Sequence, residues 1–388
     1  MSHIKRFCCI LIICGVSFFA PLEAELFFGG GFAFDLPEGY TQVAASGDNT
    51  LVSFVHSTMP VQLALRIFPK HTGFEPNTAL QDVFSRLNAS GNTTEIQWRD
   101  SPCILSTFSM QPQGGARASG WALAVRLPQS KPEGAILVAL AYTDVQLAGG
   151  VTQQLIISTL DSLYIDDESW YESGPITTFA YPEAAPEKIS LNIAGQRIQT
   201  EINSADAEGA QSVVEREFTV LSQYGASPLF REAWQRYYRQ IFRDSCARLK
   251  RPAQDILAAF QSKPPAERLI TLLSWVQQFP YERNFDTSDF TSLPAVLAGQ
   301  GSDCDSRAML LAVILRFMDI NTVLFISDAY RHAILGVELN LKGAKIPVHN
   351  EGTVVHYLVA ETTAPVAPGL IAENMSDPAK WFPVIFPR

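Results

Sequence analysis

The spacing of apolar positions divides the chain into regions of different character. In the first part, apolar side chains recur at every second position in short runs, a pattern typical of β-strands. The clearest runs are residues 32–37, 51–55, 61–68, 104–108, 120–127 and 136–142. Residues 78–87 and 151–163 instead place apolar side chains three and four apart, which predicts two amphipathic helices. This mixture predicts an α+β domain with an antiparallel sheet over residues 25–166.

A stretch rich in Pro, Ala and acidic residues, 167–187, is typical of a linker. Residues 189–202 then alternate on both sides of a central Ala-Gly pair, which predicts a hairpin. Helical spacing follows at residues 207–221, 229–249 and 266–279. We therefore expect a hairpin and helical lead-in over residues 188–263, followed by a second α+β domain over residues 264–388.

A cysteine lies where a glycine-containing loop turns into an apolar helix, in the sequence GQGSDCDSR at residues 299–307. The Ser302 hydroxyl can cap the N-terminus of this helix, and Asp305 follows three residues later, which is the spacing of a capping box. This register places Cys304 in the first helical turn, where unpaired N–H groups and the helix dipole stabilise a thiolate. Cys304 is therefore a candidate nucleophile, although Asp303 and Asp305 flank it and oppose thiolate formation.

A cysteine nucleophile needs a neighbouring base, and that base needs a group that orients it. Three histidines follow Cys304 in the chain: His332, His349 and His356. Alternation along the predicted strands puts His332 on one face with Ile334, and puts Glu361 on one face with Val359, whereas His356 points the other way. If these strands form a hairpin with its turn near residues 346–347, His332 lies opposite Glu361. The sequence thus predicts a cluster of Cys304, His332 and Glu361.

The segments WVQQFPYERN, SLPAVLAGQGSDCDSRAMLLAVILRFMDI, HAILGVEL and HYLVAETT resemble, in this order, the transglutaminase-like superfamily. The resemblance covers roughly residues 264–363 and implies a papain-like α+β core. It implies that Cys304 is the nucleophile, His332 the general base and Glu361 the residue that orients His332. The family usually has Asp at the third position, whereas this chain has Glu361 followed by two threonines.

Donors to an oxyanion are less evident from the sequence. The Cys304 N–H at the helix start is one candidate, and the side chains of Gln278 and Tyr281 are two others. Trp275 precedes them and is more typical of helix packing. We therefore include Gln278 and Tyr281 as supporting residues of the predicted site.

The N-terminal domain carries no comparable chemistry. Its opening FAFDLPEGY, central helix, antiparallel strands and closing IISTLDSL resemble the PsbP-like α+β fold in architecture. This resemblance covers only residues 25–166 and implies a binding or adaptor module rather than a second active site.

The N-terminus is typical of an export signal. Lys5 and Arg6 precede an apolar run that is shorter than a bilayer-spanning helix, and Leu22-Glu23-Ala24 fits a cleavage site. We expect a signal peptide at residues 1–24 and a periplasmic or cell-envelope protein. An uncleaved membrane anchor and a lipoprotein modified at Cys14 are the alternatives. The formal charge is -10 with no densely basic stretch, which argues against nucleic acid as a partner.

Three of the six cysteines lie in this signal, which leaves Cys103, Cys246 and Cys304. An odd number leaves at least one thiol outside a disulfide. Cys103 and Cys246 could pair with each other or could each be a buried thiol. The chain contains no C-x-x-C and its histidines are scattered, so neither a metal site nor a cofactor is expected.

Two functions of different class follow. The first is an exported cysteine enzyme that acts on an amide bond of a peptide or protein through a thioester, as a hydrolase or a transferase. The second is a catalytically silent envelope protein whose papain-like cleft and N-terminal domain bind a peptide or protein. The apolar, Pro-rich tail at residues 363–387 favours the second, because it could dock over the cleft or on a partner.

Overall fold

The computed structural model shows an α+β fold with antiparallel sheets, as the sequence predicts. It describes residues 25–28, 31–69, 74–99, 101–112, 115–128, 134–282, 288–299, 301–350 and 352–387. The expected signal at residues 1–24, with Cys14, lies outside the described residues. None of the helices in the described ranges is long and apolar enough to cross a membrane.

The chain forms two compact units, and each contains two stretches of sequence. The first unit is Met1–Ala180 with Thr219–Ala233, and the second is Tyr181–Phe218 with Trp234–Arg388. The chain thus leaves the first unit within the stretch that resembles a linker, and it later returns for one short segment.

The strands of the first unit are β1 (Glu25–Phe28), β2 (Phe32–Asp35), β3 (Tyr40–Ala45), β4 (Leu51–His56), β5 (Gln62–Phe68), β6 (Ala89–Trp98), β7 (Ser101–Met110), β8 (Ala118–Leu127), β9 (Ala135–Asp144) and β10 (Leu163–Tyr164). Its helices include α1 (Pro76–Leu87), α2 (Gly150–Asp161) and α3 (Pro175–Ala180). Seven strands form an antiparallel sheet in the order β3-β4-β5-β9-β8-β7-β6, and β1-β2-β10 form a smaller sheet.

Both faces of the seven-stranded sheet are covered at its centre. Leu80 and Phe84 of α1 pack with Phe108 and Leu140 on one face. The helix α2 also packs on β8 and β9, where the alternate residues of β9, such as Leu137, are fully buried. This explains why β9 is apolar from Ala135 to Tyr142, since a strand covered on both faces does not alternate.

The strands of the second unit are β11 (Pro186–Ile193), β12 (Gln196–Asn203), β13 (Thr322–Ser327), β14 (His332–Val337), β15 (Lys345–Asn350), β16 (Thr353–Ala360) and β17 (Phe382–Ile385). Its helices are α4 (Asp206–Leu221), α5 (Phe230–Arg248), α6 (Lys250–Phe260), α7 (Pro265–Val276), α8 (Leu293–Leu297) and α9 (Cys304–Arg316), although α4 and α5 extend a few residues into the first unit. The strands β11 and β12 form the predicted hairpin, and the others form a five-stranded antiparallel sheet in the order β15-β16-β14-β13-β17.

The helix α9 is the centre of the second unit. Every residue from Cys304 to Leu315 is buried, because α9 packs on β13 and β14 while α7 and α8 pack against it. A helix that is apolar on nearly all sides belongs inside a core rather than on its surface. Its N-terminus, and with it Cys304, is therefore held in place by surrounding elements.

Two features of this sheet differ from the predicted hairpin. Residues 346–347, the predicted turn, lie inside β15, which pairs with β16. The tail residues Phe382–Ile385 form β17 and pair with β13, so this part of the tail belongs to the sheet. Phe386 stacks on Phe242 of α5, with ring centroids 3.9 Å apart. The apolar tail is thus accounted for by packing within its own unit.

Candidate active site

The helix α9 begins at Cys304, and its N-cap is Asp303 rather than Ser302. Asp303 Oδ1 accepts a hydrogen bond from Ser306 N–H at 3.0 Å. The predicted cap was wrong by one residue because the Ser302 carbonyl is already occupied: it accepts from Glu282 N–H at 3.1 Å. An N-cap carbonyl must instead accept the first bond of its own helix, as Asp303 does from Arg307 N–H.

Cys304 is therefore the first residue of α9, where the helix dipole favours a negative charge. Its residue surface is 6% exposed, so the thiol lies beneath the surface rather than on it. The position agrees with a nucleophile that is activated by its surroundings.

His332 and Glu361 are in direct contact, as predicted. His332 Nε2 lies 2.8 Å from Glu361 Oε2, with both side chains largely buried. The second carboxylate oxygen, Oε1, accepts from the N–H and the hydroxyl of Thr363 at 2.7 and 2.6 Å. Burial raises the pKa of Glu361, but the His332 contact and the Thr363 hydrogen bonds outweigh it, so that the pKa lies below its ordinary value. Glu361 is therefore an ionised acceptor that fixes the His332 ring.

The pairing register differs from the predicted one by two residues. The last pair between β14 and β16 is Leu335 with Ala360. Continuation of this register places Glu361 opposite Ile334 rather than opposite His332. Glu361 remains on the same face, and diagonal neighbours lie within reach of long side chains. The extra methylene of Glu, relative to Asp, thus fits the diagonal contact.

Thr362 connects Glu361 to the start of α9. Its hydroxyl donates to the Cys304 carbonyl at 3.4 Å. Gln277 holds the same strand end from the other side, because its Nε2 donates to the Glu361 carbonyl at 2.8 Å and to the Val366 carbonyl at 2.9 Å. These contacts bring the end of β16, which carries Glu361, to the first residue of α9, Cys304.

Arg307 joins the loops behind this site. Its side chain is buried and donates to Ser302 Oγ at 3.0 Å, to the Phe279 carbonyl at 2.6 Å and to the Thr362 carbonyl at 3.5 Å. Its guanidinium also lies 5.2 Å from the centroid of the Tyr281 ring. One side chain thus holds together three segments that are far apart in the sequence.

The supporting residues predicted from the sequence lie near the surface. Gln278 is exposed and lies just beyond the end of α7, where its Nε2 donates to the Ser274 carbonyl of that helix. Tyr281 is 51% exposed, and its backbone pairs with Ser302. The adjacent Gln277, which was not predicted, is the glutamine that contacts the strand of Glu361.

An aromatic wall borders the His332 ring. Trp381 meets it edge to face with the ring centroids 6.3 Å apart, and Tyr330 packs against Trp381. Trp381 Nε1 donates to the Met375 carbonyl at 2.9 Å, which fixes the indole. Trp381 therefore covers one side of the His332 ring.

His349 and His356, the other candidate bases, are exposed on β15 and β16.

Two carboxyl groups and two tyrosines lie below Cys304. Asp305 Oδ2 accepts from the Tyr238 hydroxyl at 2.6 Å, and the Tyr237 hydroxyl lies 3.0 Å from Ser288 Oγ. Burial, followed by the nearby charge of Asp305, raises the pKa of Asp303 to about 10. The flanking carboxyls that the sequence indicated are therefore a buried pair rather than two solvated charges.

Cys103 and Cys246, like Cys304, are each buried and outside any disulfide in the described part of the chain. Burial, together with the charge of Asp161, raises the pKa of the Cys103 thiol far above its ordinary value. Cys103 is thus disfavoured as a thiolate.

Within the described ranges, no group of three or more His, Cys, Asp and Glu side chains could hold a metal ion.

Comparison with protein-family models gives no match for the chain. Comparison with curated proteins gives no match either. The functional interpretation therefore depends on the geometry of the site.

Proposed function

We propose that this protein is an exported, transglutaminase-like cysteine enzyme that acts on amide bonds of a peptide or protein. The contact that supports this most strongly is the 2.8 Å hydrogen bond between His332 Nε2 and Glu361 Oε2. It lies beside the N-terminus of α9, to which Thr362 is bonded. A nucleophile at a helix start, a histidine and an orienting carboxylate are the parts of a cysteine hydrolase or acyltransferase.

The chemistry follows from the ring nitrogens of His332. Because Nε2–H donates to Glu361, Nδ1 is the nitrogen that accepts the Cys304 proton. The Cys304 thiolate attacks the amide carbonyl, and N–H groups at the start of α9 stabilise the resulting oxyanion. The imidazolium then protonates the leaving amine, which leaves a thioester on Cys304. Water or a second amine, deprotonated by His332, releases the acyl group as an acid or a new amide.

Alkylation by iodoacetamide tests the activated thiol. At pH 7 we expect Cys304 to react at least about tenfold faster than Cys103 or Cys246, because Cys304 lies at a helix N-terminus and His332 is its proposed base. His332→Ala should slow the reaction at Cys304 by about tenfold or more, whereas His356→Ala, an exposed histidine of the same sheet, should leave it unchanged. Peptide mass spectrometry gives the three rates separately. Equal rates for the three thiols would contradict the proposal.

The low exposure of Cys304 favours a second candidate, a protein that binds a peptide or protein without catalysis. In that case His332→Ala leaves the alkylation of Cys304 unchanged, and Cys304→Ala leaves cellular function intact. Loss of function in a Cys304→Ala variant that folds normally would support the enzyme instead.

A further inference from the structure

We infer that Asp303 carries a proton at neutral pH and donates it in a hydrogen bond to Asp305, so that Cys304 is flanked by one negative charge rather than two. This inference deepens the proposed function and rests on it, because it concerns how the Cys304 thiol is activated. Asp303 is a positioning residue here, since it acts through Asp305 and the charge around the thiol.

The first observation is that the two carboxyl groups share one buried site. Asp303 is 0% exposed, and Asp305 is also buried. Both accept from the same donor, the Ser306 N–H, at 3.0 Å to Asp303 Oδ1 and 3.2 Å to Asp305 Oδ1. A shared donor requires the two groups to lie side by side. Two carboxylates in such a site cannot both remain ionised, because burial and mutual repulsion both favour protonation of one.

The second observation identifies Asp303 as the protonated member. Asp303 Oδ2 is buried and has no hydrogen-bond donor among the described residues. A buried acceptor that is left without a donor destabilises the folded state, because it loses the hydrogen bonds that it makes to water in the unfolded chain. Asp305 lies within hydrogen-bonding range of the Asp303 carboxyl. A proton on Asp303 Oδ2 turns this oxygen into a donor to Asp305, and its hydrogen bond is then satisfied.

The third observation identifies Asp305 as the ionised member. Its Oδ2 accepts from the Tyr238 hydroxyl at 2.6 Å, a short bond typical of a charged acceptor. Burial and the charge of Asp305 raise the pKa of Tyr238 well above its ordinary value, so this hydroxyl keeps its proton and donates. Asp305 thus receives hydrogen bonds from Tyr238, Ser306 and the protonated Asp303.

The described titratable groups around the pair and around Arg307 are Tyr237 and Tyr238 of α5, Asp289 of the preceding loop, Cys304 of α9, Tyr281, and Glu361 at the end of β16. Arg307 is the cation of this set, and its charge interacts with that of Asp303. Its guanidinium nevertheless donates to a hydroxyl and two carbonyls rather than to the Asp303 carboxyl. Burial and the neighbouring Asp305 charge accordingly raise the pKa of Asp303.

The rate of Cys304 alkylation at pH 7 tests this assignment in two matched variants. Asp303→Asn replaces a neutral carboxyl by a neutral amide, which also serves as an N-cap, so we expect a change of less than about twofold. Asp305→Asn removes the single negative charge and should accelerate alkylation by about threefold or more, because the thiol pKa falls. Asp319→Asn, on the exposed turn beyond the other end of α9, is the control and should change nothing.

Infrared difference spectroscopy gives a readout that does not depend on the thiol. The wild type at pH 7 should show a carboxylic-acid C=O band that Asp303→Asn removes and Asp319→Asn retains. Near-UV circular dichroism shows whether each variant is folded, and if Asp305→Asn unfolds, the infrared band decides. A wild type without this band would overturn the assignment.

Two further outcomes also overturn it. One is acceleration by Asp303→Asn that equals the effect of Asp305→Asn, because Asp303 would then be ionised. The other is a change in rate or in the infrared band on adding EDTA or CaCl2, since a bound cation would replace the proton. Equal alkylation rates of Cys304, Cys103 and Cys246 in the wild type would instead contradict the proposed function. The infrared result would still decide whether Asp303 is protonated.

Discussion

At the scale of single residues, side-chain length compensates for strand register in the His332–Glu361 pair. The register of β14 and β16 places Glu361 diagonally across from His332, and its carboxylate still reaches Nε2 at 2.8 Å. An Asp at this position would be one methylene shorter. The local geometry therefore fits Glu at position 361 better than the shorter Asp.

This geometry predicts that Glu361→Asp is not a conservative change. We expect it to slow Cys304 alkylation at pH 7 by about tenfold, because the His332 ring loses its orienting partner. Glu361→Gln keeps the length but loses the charge, and it should give an intermediate rate. Quantitative mass spectrometry of the Cys304 peptide measures both. A faster or unchanged rate in Glu361→Asp would contradict the prediction.

The candidate site was predictable from the sequence where residue type and alternation carried the information. Cys304, His332 and Glu361 could be chosen because strand alternation separates His332 from His356. Neighbouring residues of similar chemistry could not be separated in this way. Gln277 and Gln278 are neighbours of the same type at the end of α7. Only Gln277 contacts the strand end of Glu361, and this difference depends on tertiary packing that the sequence does not reveal.

More distant partners left no signal in the sequence. The contact from Tyr238 of α5 to Asp305 of α9 joins two residues that are 67 positions apart in the sequence. Arg307 contacts the carbonyls of Phe279 and Thr362, and carbonyls occur at every position of a chain. Thr362 had the best chance of being found, because it directly follows the predicted Glu361.

At the scale of elements, the short helix α3 depends on one buried carboxylate. Asp161, the last residue of α2, accepts from Ile176 N–H at 2.7 Å and from the N–H and the hydroxyl of Thr177 at 3.1 and 2.6 Å. A helix of six residues makes few bonds of its own, so this anchor sets where α3 begins. Gly174 is required beside it, because a Cβ there would lie 2.4 Å from the Asp161 side chain.

Asp161→Ala should therefore destabilise the first unit by about 1–3 kcal/mol, because it leaves buried N–H donors without an acceptor. Asp82→Ala on α1 is a suitable control. It removes only a surface ion pair with Arg86 and should cost less than about 0.5 kcal/mol. Urea unfolding of both variants measures the difference. Equal losses would show that Asp161 is not the anchor of α3.

Elements with a clear apolar period were predicted, and those without one were missed. The strand β6 carries mostly exposed polar residues, so its sequence gives no sign that it forms the edge of the sheet next to β7. The strand β15 lies in a polar stretch that resembled a connection, although Ile346 and Val348 alternate and are buried. Pairing with β16, rather than intrinsic propensity, makes it a strand.

At the scale of the whole molecule, a buried histidine ties the returning segment into the first unit. His56 Nδ1 accepts from Met59 N–H at 3.0 Å and from Thr58 N–H at 3.3 Å. Its Nε2 must then carry the ring proton, and it donates to the Tyr224 hydroxyl oxygen at 3.2 Å. Tyr224 in turn donates to the Glu38 carbonyl at 2.8 Å. A second proton on the His56 ring would sit on Nδ1 and face the N–H groups of Thr58 and Met59. These hydrogen bonds therefore require the neutral ring.

The pH dependence follows from this requirement. Burial lowers the pKa of His56 to about 4, partly offset by the Glu38 carbonyl, whereas the unfolded ring titrates near 6.5. The unfolded state therefore binds the proton more readily, and stability falls as the pH drops from about 6.5 to 4, by about 3 kcal/mol at most. Urea unfolding at pH 7 and pH 4 should show this loss in the wild type. The loss should be smaller in His56→Gln and unchanged in His356→Gln.

Tyr224 also affects the order in which the chain can fold during synthesis. The first unit includes Thr219–Ala233, so it is incomplete when Ala180 leaves the ribosome. The missing segment emerges only after roughly 50 further residues, a delay of several seconds at ordinary rates of translation. During that interval the surface around His56 and Glu38 lacks its cover. A nascent chain of this protein is therefore exposed to chaperones and proteases at a defined point in its synthesis, and shortening it at residue 180 would make that state permanent.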